Sequence, residues 1–226
     1  MTVELEDRDR ALLDGEAGEG AALAMRLVVK MAEVARAPHL RTVTRAHIDS
    51  CLYHGQVGLD FAERLLAGRA SVTVPATLNV SSLDLLHPEL VRLDDGTRER
   101  ARRLMDAYVA MGCRPTWTCA PYQLPDRPGF GEHVAWAESN AIVFANSVLG
   151  ARTNRYGDFI DICAAITGRV PDIGLHTDEG RRASLLLRLE AIPDELLRDD
   201  LLFPVLGHLL GRRAGTAVAA IDGLRS

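Results

Sequence analysis

A basic surface is missing from this sequence. Its 26 Lys and Arg against 31 Asp and Glu give a net charge of −5 and a pI near 5.8. That excludes the positively charged face a nucleic-acid-binding domain needs. Lysine is almost absent, with Lys30 the only one, and the resulting abundance of arginine is compositional. Long apolar runs are missing too. No stretch approaches the roughly 18–20 uninterrupted apolar residues of a membrane span. The amino terminus carries Glu4, Glu6 and Asp7 where a signal peptide would carry basic residues. A soluble, cytoplasmic protein with no membrane partner is therefore expected. Cysteine is scarce: Cys51, Cys113, Cys119 and Cys163 are scattered, with no CxxC pair. That spacing excludes a disulfide framework and leaves buried thiols, metal ligands or a nucleophile.

What is present is a chain able to bury a core, with 47% hydrophobic and 25% charged residues. Apolar residues at Leu23, Leu27, Val28, Met31 and Val34 follow helical spacing over 21–37, and Pro38 stops the run. Residues 40–48 read as a strand, 58–66 as a helix closed by Gly68, and 71–75 (SVTVP) as a second strand. A long amphipathic helix is predicted over 95–111 and the end of a strand over 116–118. Helices follow at 133–148 and 159–166, a strand at 184–189, a helix at 193–210 and a strand or buried segment at 214–221. Helix, glycine, strand and loop in that order predict an α/β layer with mostly parallel strands and flanking helices. Ligands in such layers sit at the carboxyl ends of the strands. A chain finishing soon after a core strand is expected to be incomplete.

Three stretches carry more small polar residues than a core or a solvated face requires. Val74 to Asp84 (VPATLNVSSLD) opens a strand end into Thr77, Asn79, Ser81 and Ser82, which is either a hydrogen-bonding site or an Asx turn capping the next helix. Pro115 to Gln123 (PTWTCAPYQ) places Cys119 just after a strand, as a buried thiol, a nucleophile needing a base such as His133 or His47, or a cluster ligand needing further thiolates. Gly131 to Arg155 gathers Ser139, Asn140, Asn146, Arg152, Asn154 and Arg155. That set suits a small carboxylate, since Arg binds carboxylates bidentately and stays charged, and it equally describes a solvated helix end. His47 and His54 flank Cys51 and are candidate acid–base groups.

Together these strings resemble the aconitase X family, in its large-subunit region. The resemblance rests on HIDSCLYHGQVGLDFAERL (His47 to Leu65), VPATLNVSSLD, PTWTCAPYQ, the block from Gly131 to Arg169 and the GLH at Gly174 to His176. These motifs stand in the family's order and at comparable spacing. The resemblance implies an aconitase-like α/β fold, with residues 1–226 as the N-terminal portion of the large catalytic domain. It implies a dehydratase that uses an iron–sulfur cluster, acting on cis-3-hydroxy-L-proline or mevalonate 5-phosphate. Cys119 matches the first of three cluster cysteines; the other two and a small swivelling domain or subunit would lie outside this chain. Ala76 departs from the family by standing where a threonine is expected.

On this resemblance His47 is the candidate catalytic residue. Thr77, Asn79, Ser139, Asn140, Arg152 and Asn154 are the candidate substrate-binding set, with Arg152 and the three amides clamping the carboxylate of a small hydroxy acid. The hydroxyproline-type substrate is favoured by the arginine-rich composition. Two other readings stand beside it: a silent fragment or subunit needing a partner chain, and a cysteine enzyme with Cys119 as nucleophile.

Overall fold

The computed structural model describes residues 3–224, which divide into two compact units on either side of the step from His176 to Thr177. The first is built around a three-stranded parallel sheet of order β3-β2-β4, in which β2 is Ala46–Ile48, β3 is Ala76–Leu78 and β4 is Ala135–Trp136. Ala46 stands level with Ala76 and with Ala135, and His47 stands level with Thr77 and with Trp136. Because side chains alternate across a sheet, one face is paved with alanine and the other carries the histidine, the threonine and the indole.

The alanine face lets helices approach closely. Helix α6 (Ile160–Thr167) packs against β2 and β4, and α2 (Glu19–Val34) packs on α6. The buried stripe of α2 is Ala21, Ala24, Met25, Val28 and Ala32, at three- and four-residue steps. The larger residues expected to face the core mostly flank this stripe, and Val34 is 78% exposed. Contact with a helix carrying Cys163, Ala164 and Ala165 favours small side chains on α2. Gly20, at its start, donates to Gly68 O at 2.8 Å, and a Cβ there would collide with Leu65 O. Helices α1 (Asp7–Leu13), α3 (Gln56–Ala67) and α4 (Asp95–Ala110) complete the surround. Asp94 caps α4, accepting from Thr97 N at 2.9 Å.

Four expectations are corrected here. Residues 40–48 form two strands: β1 (Leu40–Thr42) pairs antiparallel with β5 (Arg169–Pro171), and β2 enters the main sheet. Residues 71–75 do not form a strand, because Val72 N and Thr73 N donate to Met111 O and Ala165 O; β3 begins after Pro75. Residues 116–118 stay outside the sheet: the segment meets β3 through a single bridge at Arg114, and beyond it the Thr116 hydroxyl bonds Leu78 N and O. The helix expected over 133–148 is β4 followed by α5 (Ser139–Phe144) and a π-helical turn, Ala145–Leu149, closed by left-handed Gly150. Val134 N bonds Arg152 O and Ala135 N bonds Arg45 O, so tertiary pairing claims a segment whose spacing reads as helix.

The second unit holds β6 (Leu185–Arg188), α7 (Asp194–Leu197), α8 (Leu202–Ala214) and β7 (Ala219–Asp222), with β6 and β7 parallel. Leu189, Leu197, Leu202 and Leu206 form its core. The single helix expected over 193–210 is interrupted where Asp199 accepts from Leu201 N and Leu202 N. Among the described residues no helix is long and apolar enough to cross a membrane.

Candidate functional site

The three parallel strands deliver their next residues to one place. Asp49 follows β2, Asn79 follows β3 and Glu138 lies two residues beyond β4. This is the carboxyl edge of the sheet, where an α/β layer presents its ligand-binding loops. Asn79, 2% exposed, uses its amide nitrogen for both carboxylates: it donates to Glu138 Oε2 at 2.6 Å and makes a short contact with Asp49 Oδ1. Its amide oxygen accepts from Val80 N at 2.8 Å, which fixes the orientation of the group. One neutral donor therefore holds two acids together. Burial pushes the Asp49 carboxyl up; the Asn79 amide opposes this, and the neighbouring Glu138 and Asp158 charges add to the rise.

Around this trio lie other expected residues. Ser139 donates to Glu138 Oε1 at 3.2 Å. Asn140, on the same first turn of α5, reaches the Tyr122 hydroxyl at 3.4 Å, and Tyr122 stacks on Phe144 at 4.0 Å. Cys119 is exposed. Its predecessor Thr118 donates to Leu78 O at 3.2 Å, which sets the cysteine loop beside the end of β3 and next to Asn79. The other three thiols are at most 3% exposed, and burial pushes each of them up, Cys113 to about 12. They are packing residues.

His47 is placed differently. Its ring is 0% exposed, its Nδ1 pairs with Thr77 Oγ1 at 2.8 Å, and Trp136 meets it edge-on at 6.2 Å between centroids. Burial pushes it down to about 4. A ring sealed between strands meets no substrate arriving from solvent, whereas Asp49 and Glu138 stand at the open edge of the sheet. Thr77 is its partner within the sheet. Arg152 and Asn154 are also not brought to the carboxylates. Arg152 pairs with His133 at the start of β4 and donates to His176 O at 2.9 Å. Asn154 clamps the following turn, donating to Ile173 O at 2.9 Å and accepting from Leu175 N at 2.7 Å. There Tyr156, His176 and His133 form a chain, 2.5 Å from Tyr156 Oη to His176 Nε2 and 3.0 Å between the two Nδ1 atoms. The amides and the guanidinium thus divide between two clusters.

Sequence reasoning did not single out Asp49. Its signal was slight: an acid directly after a buried apolar strand.

The buried rings predict a pH response. His47 and His176, the latter pushed down to about 3 by burial first and His133 second, are neutral when folded but take protons near 6.5 when unfolded. Their contribution is present above about 6.5 and is lost as pH falls toward 4 and below, at up to about 1.4 kcal/mol per pH unit for each ring. Asp161, pushed up to about 6 by burial, and Asp49, raised the same way, act oppositely above their ordinary values, but both rings take protons across the whole span from about 6.5 down to 4. Urea unfolding at pH 4.5, 5.5 and 6.5 should show stability falling with pH, and His47→Phe should flatten that slope. An unchanged slope would mean the ring is not desolvated.

An α/β domain presenting an acid pair, an amide and a lone exposed thiol at one sheet edge is of the class that binds a small polar ligand there. The first domain of aconitase X matches residues 2–179, and the chain belongs to that family. It is 49% identical over 221 residues to the cis-3-hydroxy-L-proline dehydratase of Pseudomonas aeruginosa, covering 98% of this chain and 38% of that protein. It is 37% identical over 218 residues to the phosphomevalonate dehydratase large subunit of Methanothermobacter thermautotrophicus, covering 96% of this chain and 53% of that protein. Among solved structures, the holo-form of aconitase X from Thermococcus kodakaraensis superposes with a TM-score of 0.84 at 32% identity, covering 99% of this chain and 55% of that one. The chain therefore spans about two fifths to about half the length of these relatives.

Iron–sulfur clusters are held by several thiolates. The described residues offer one exposed thiol, and no group of three or more His, Cys, Asp or Glu side chains among them is arranged to hold a metal.

Proposed function

We propose that this chain is the N-terminal part of a dehydratase that removes water from a small hydroxy acid, with cis-3-hydroxy-L-proline as substrate. The observation that carries this reading is the 49% identity across 98% of the chain to a protein named for that activity. Identity to the phosphomevalonate enzymes is lower, at 37% or less.

Dehydration takes a proton from the α-carbon and hydroxide from the β-carbon, leaving a pyrroline carboxylate and water. Asp49 is the base in this reading: half-buried and raised, its carboxylate is more basic than a solvated one, as proton abstraction near neutral pH requires. The Glu138 charge adds to the basicity of Asp49, Asn79 holds both acids in position, and Ser139 and Asn140 offer neutral hydrogen bonds to the substrate. Cys119 would supply one thiolate to an iron–sulfur cluster, which would act as the Lewis acid that helps hydroxide leave, with the other ligands expected outside this chain. A further segment or subunit closes the site.

The test is to join this chain to the remainder of a complete protein, reconstitute iron and sulfide anaerobically, and follow pyrroline carboxylate formation. Turnover of cis-3-hydroxy-L-proline is expected from the completed protein and none from this chain alone, with iron per isolated chain well below one cluster. Absence of turnover in the completed, iron-loaded protein would remove the assignment.

A further inference from the structure

Asp161 is the second residue of α6 and is 0% exposed. Acids in a first helical turn ordinarily face solvent and the helix dipole. This one is turned inward. One carboxylate oxygen accepts from Asp49 N at 2.8 Å and Ser50 N at 3.0 Å; the other accepts from Ser50 Oγ at 2.9 Å and from its neighbour Ile162 N at 2.6 Å. Since the Ser50 hydroxyl donates to Asp161, its oxygen accepts from Tyr108 Oη at 2.7 Å, and Tyr108 is itself 0% exposed on α4. Three of the four donors to the carboxylate belong to the two residues that follow β2.

Among the described residues its hydrogen-bond donors are all neutral, and no arginine or lysine is paired with it. The side chains around it are Ser50, Tyr108 and the thiols of Cys51, Cys113 and Cys163. Burying a carboxylate without a cation is costly, and apolar packing would serve stability better. The arrangement accounts for that cost only through what it fixes, the backbone course from Ile48 into the Asp49 turn. We propose that Asp161 is a positioning residue, holding the turn after β2 so that the Asp49 carboxylate faces Asn79 and Glu138. The inference rests on the reading of Asp49 as the base, and its test separates the two.

In this chain, the Asp49 carboxyl is followed by carbon-detected NMR titration in the wild type, Asp161→Asn and Ser50→Ala. Asparagine turns one acceptor into a donor facing backbone N–H groups, so the turn swings outward and the Asp49 midpoint moves down toward that of a solvated acid. Ser50→Ala removes one of the four hydrogen bonds to the Asp161 carboxylate, together with the one to Tyr108, and moves the midpoint less, in the same direction. It also serves as the folded test if Asp161→Asn does not fold. In the completed enzyme, Asp161→Asn lowers kcat about 100-fold, as a misplacement near 1 Å does, with KM within about threefold. An unmoved Asp49 midpoint in both variants overturns the inference, as does a lowered melting temperature with kcat per folded molecule unchanged. If the wild-type enzyme turns over no hydroxy acid, the function assignment fails while the titration still decides the positioning role.

Discussion

Replacing Arg169 by methionine should lower the unfolding free energy of the 3–176 unit by about 3–5 kcal/mol, the cost of stripping one partner from a buried ion pair. The Arg169 side chain is 3% exposed and that of Asp9 is 0% exposed, with 2.8 Å between Nη2 and Oδ2. The same nitrogen reaches Glu6 at 2.9 Å, and Nη1 reaches Thr42 Oγ1 at 2.7 Å. Methionine fills the space but leaves a carboxylate in the interior with no cation. Glu6→Gln removes a partner that is 65% exposed and should cost far less, because solvent screens that pair. Asp9 Oδ1 and Arg169 Nε make no hydrogen bond among the described residues. The pair is thus incompletely satisfied, and Asp9→Leu combined with Arg169→Met should recover much of the loss. Both tryptophans, Trp117 and Trp136, lie in this unit, so tryptophan fluorescence under urea reads it without interference from residues 177–226. A single replacement costing under 1 kcal/mol would show that water reaches Asp9.

Helices α2, α3 and α4 were legible because each carries its own period and its own stop, while α1, short and charged, was not. The reading over 58–66 became Gln56–Ala67 and that over 95–111 became Asp95–Ala110. The sheet was less so. Strands of two or three residues carry no alternation to detect, and β4 exists only because Arg45 and Arg152 supply its backbone partners. The same applies to the site. Asn79, Ser139, Asn140 and Cys119 do gather near the strand ends, as expected of loops at the carboxyl edge of parallel strands. Arg152 and Asn154 look alike in sequence but serve the Gly174–His176 turn. Asp161, in a helical first turn, reads as a solvated acid until its four donors are seen. Asp49 and Glu138 stand 89 residues apart, and only the parallel register of β2 and β4 makes them neighbours.

That neighbourhood makes Asn79 the position where a single change should cost the most function. Asn79→Leu preserves the approximate volume and the backbone bond from Asn79 N to Ile48 O but removes the only amide donating to both acids. Two carboxylates then face each other without a shared donor, and a deprived charged group costs about 1–3 kcal/mol or more. The Asn79 hydrogen bond is what opposes the rise of the Asp49 carboxyl, while the Glu138 charge drives it upward. Without the amide, the Asp49 midpoint should climb further, and NMR titration of this chain reads that directly. Linkage gives the sign for stability. A carboxyl raised on folding contributes stability that is present below its unfolded value and lost as pH rises through the folded one. The variant should therefore lose more stability at neutral pH than near pH 4. In the completed enzyme the acid limb of kcat/KM should move to higher pH, since the base must be ionised to act, and kcat at neutral pH should fall about 100-fold or more as the pair loses its geometry. An Asp49 midpoint that stays put would mean the amide does not hold the acids together. A moved midpoint with undiminished kcat would place the chemistry elsewhere on the protein.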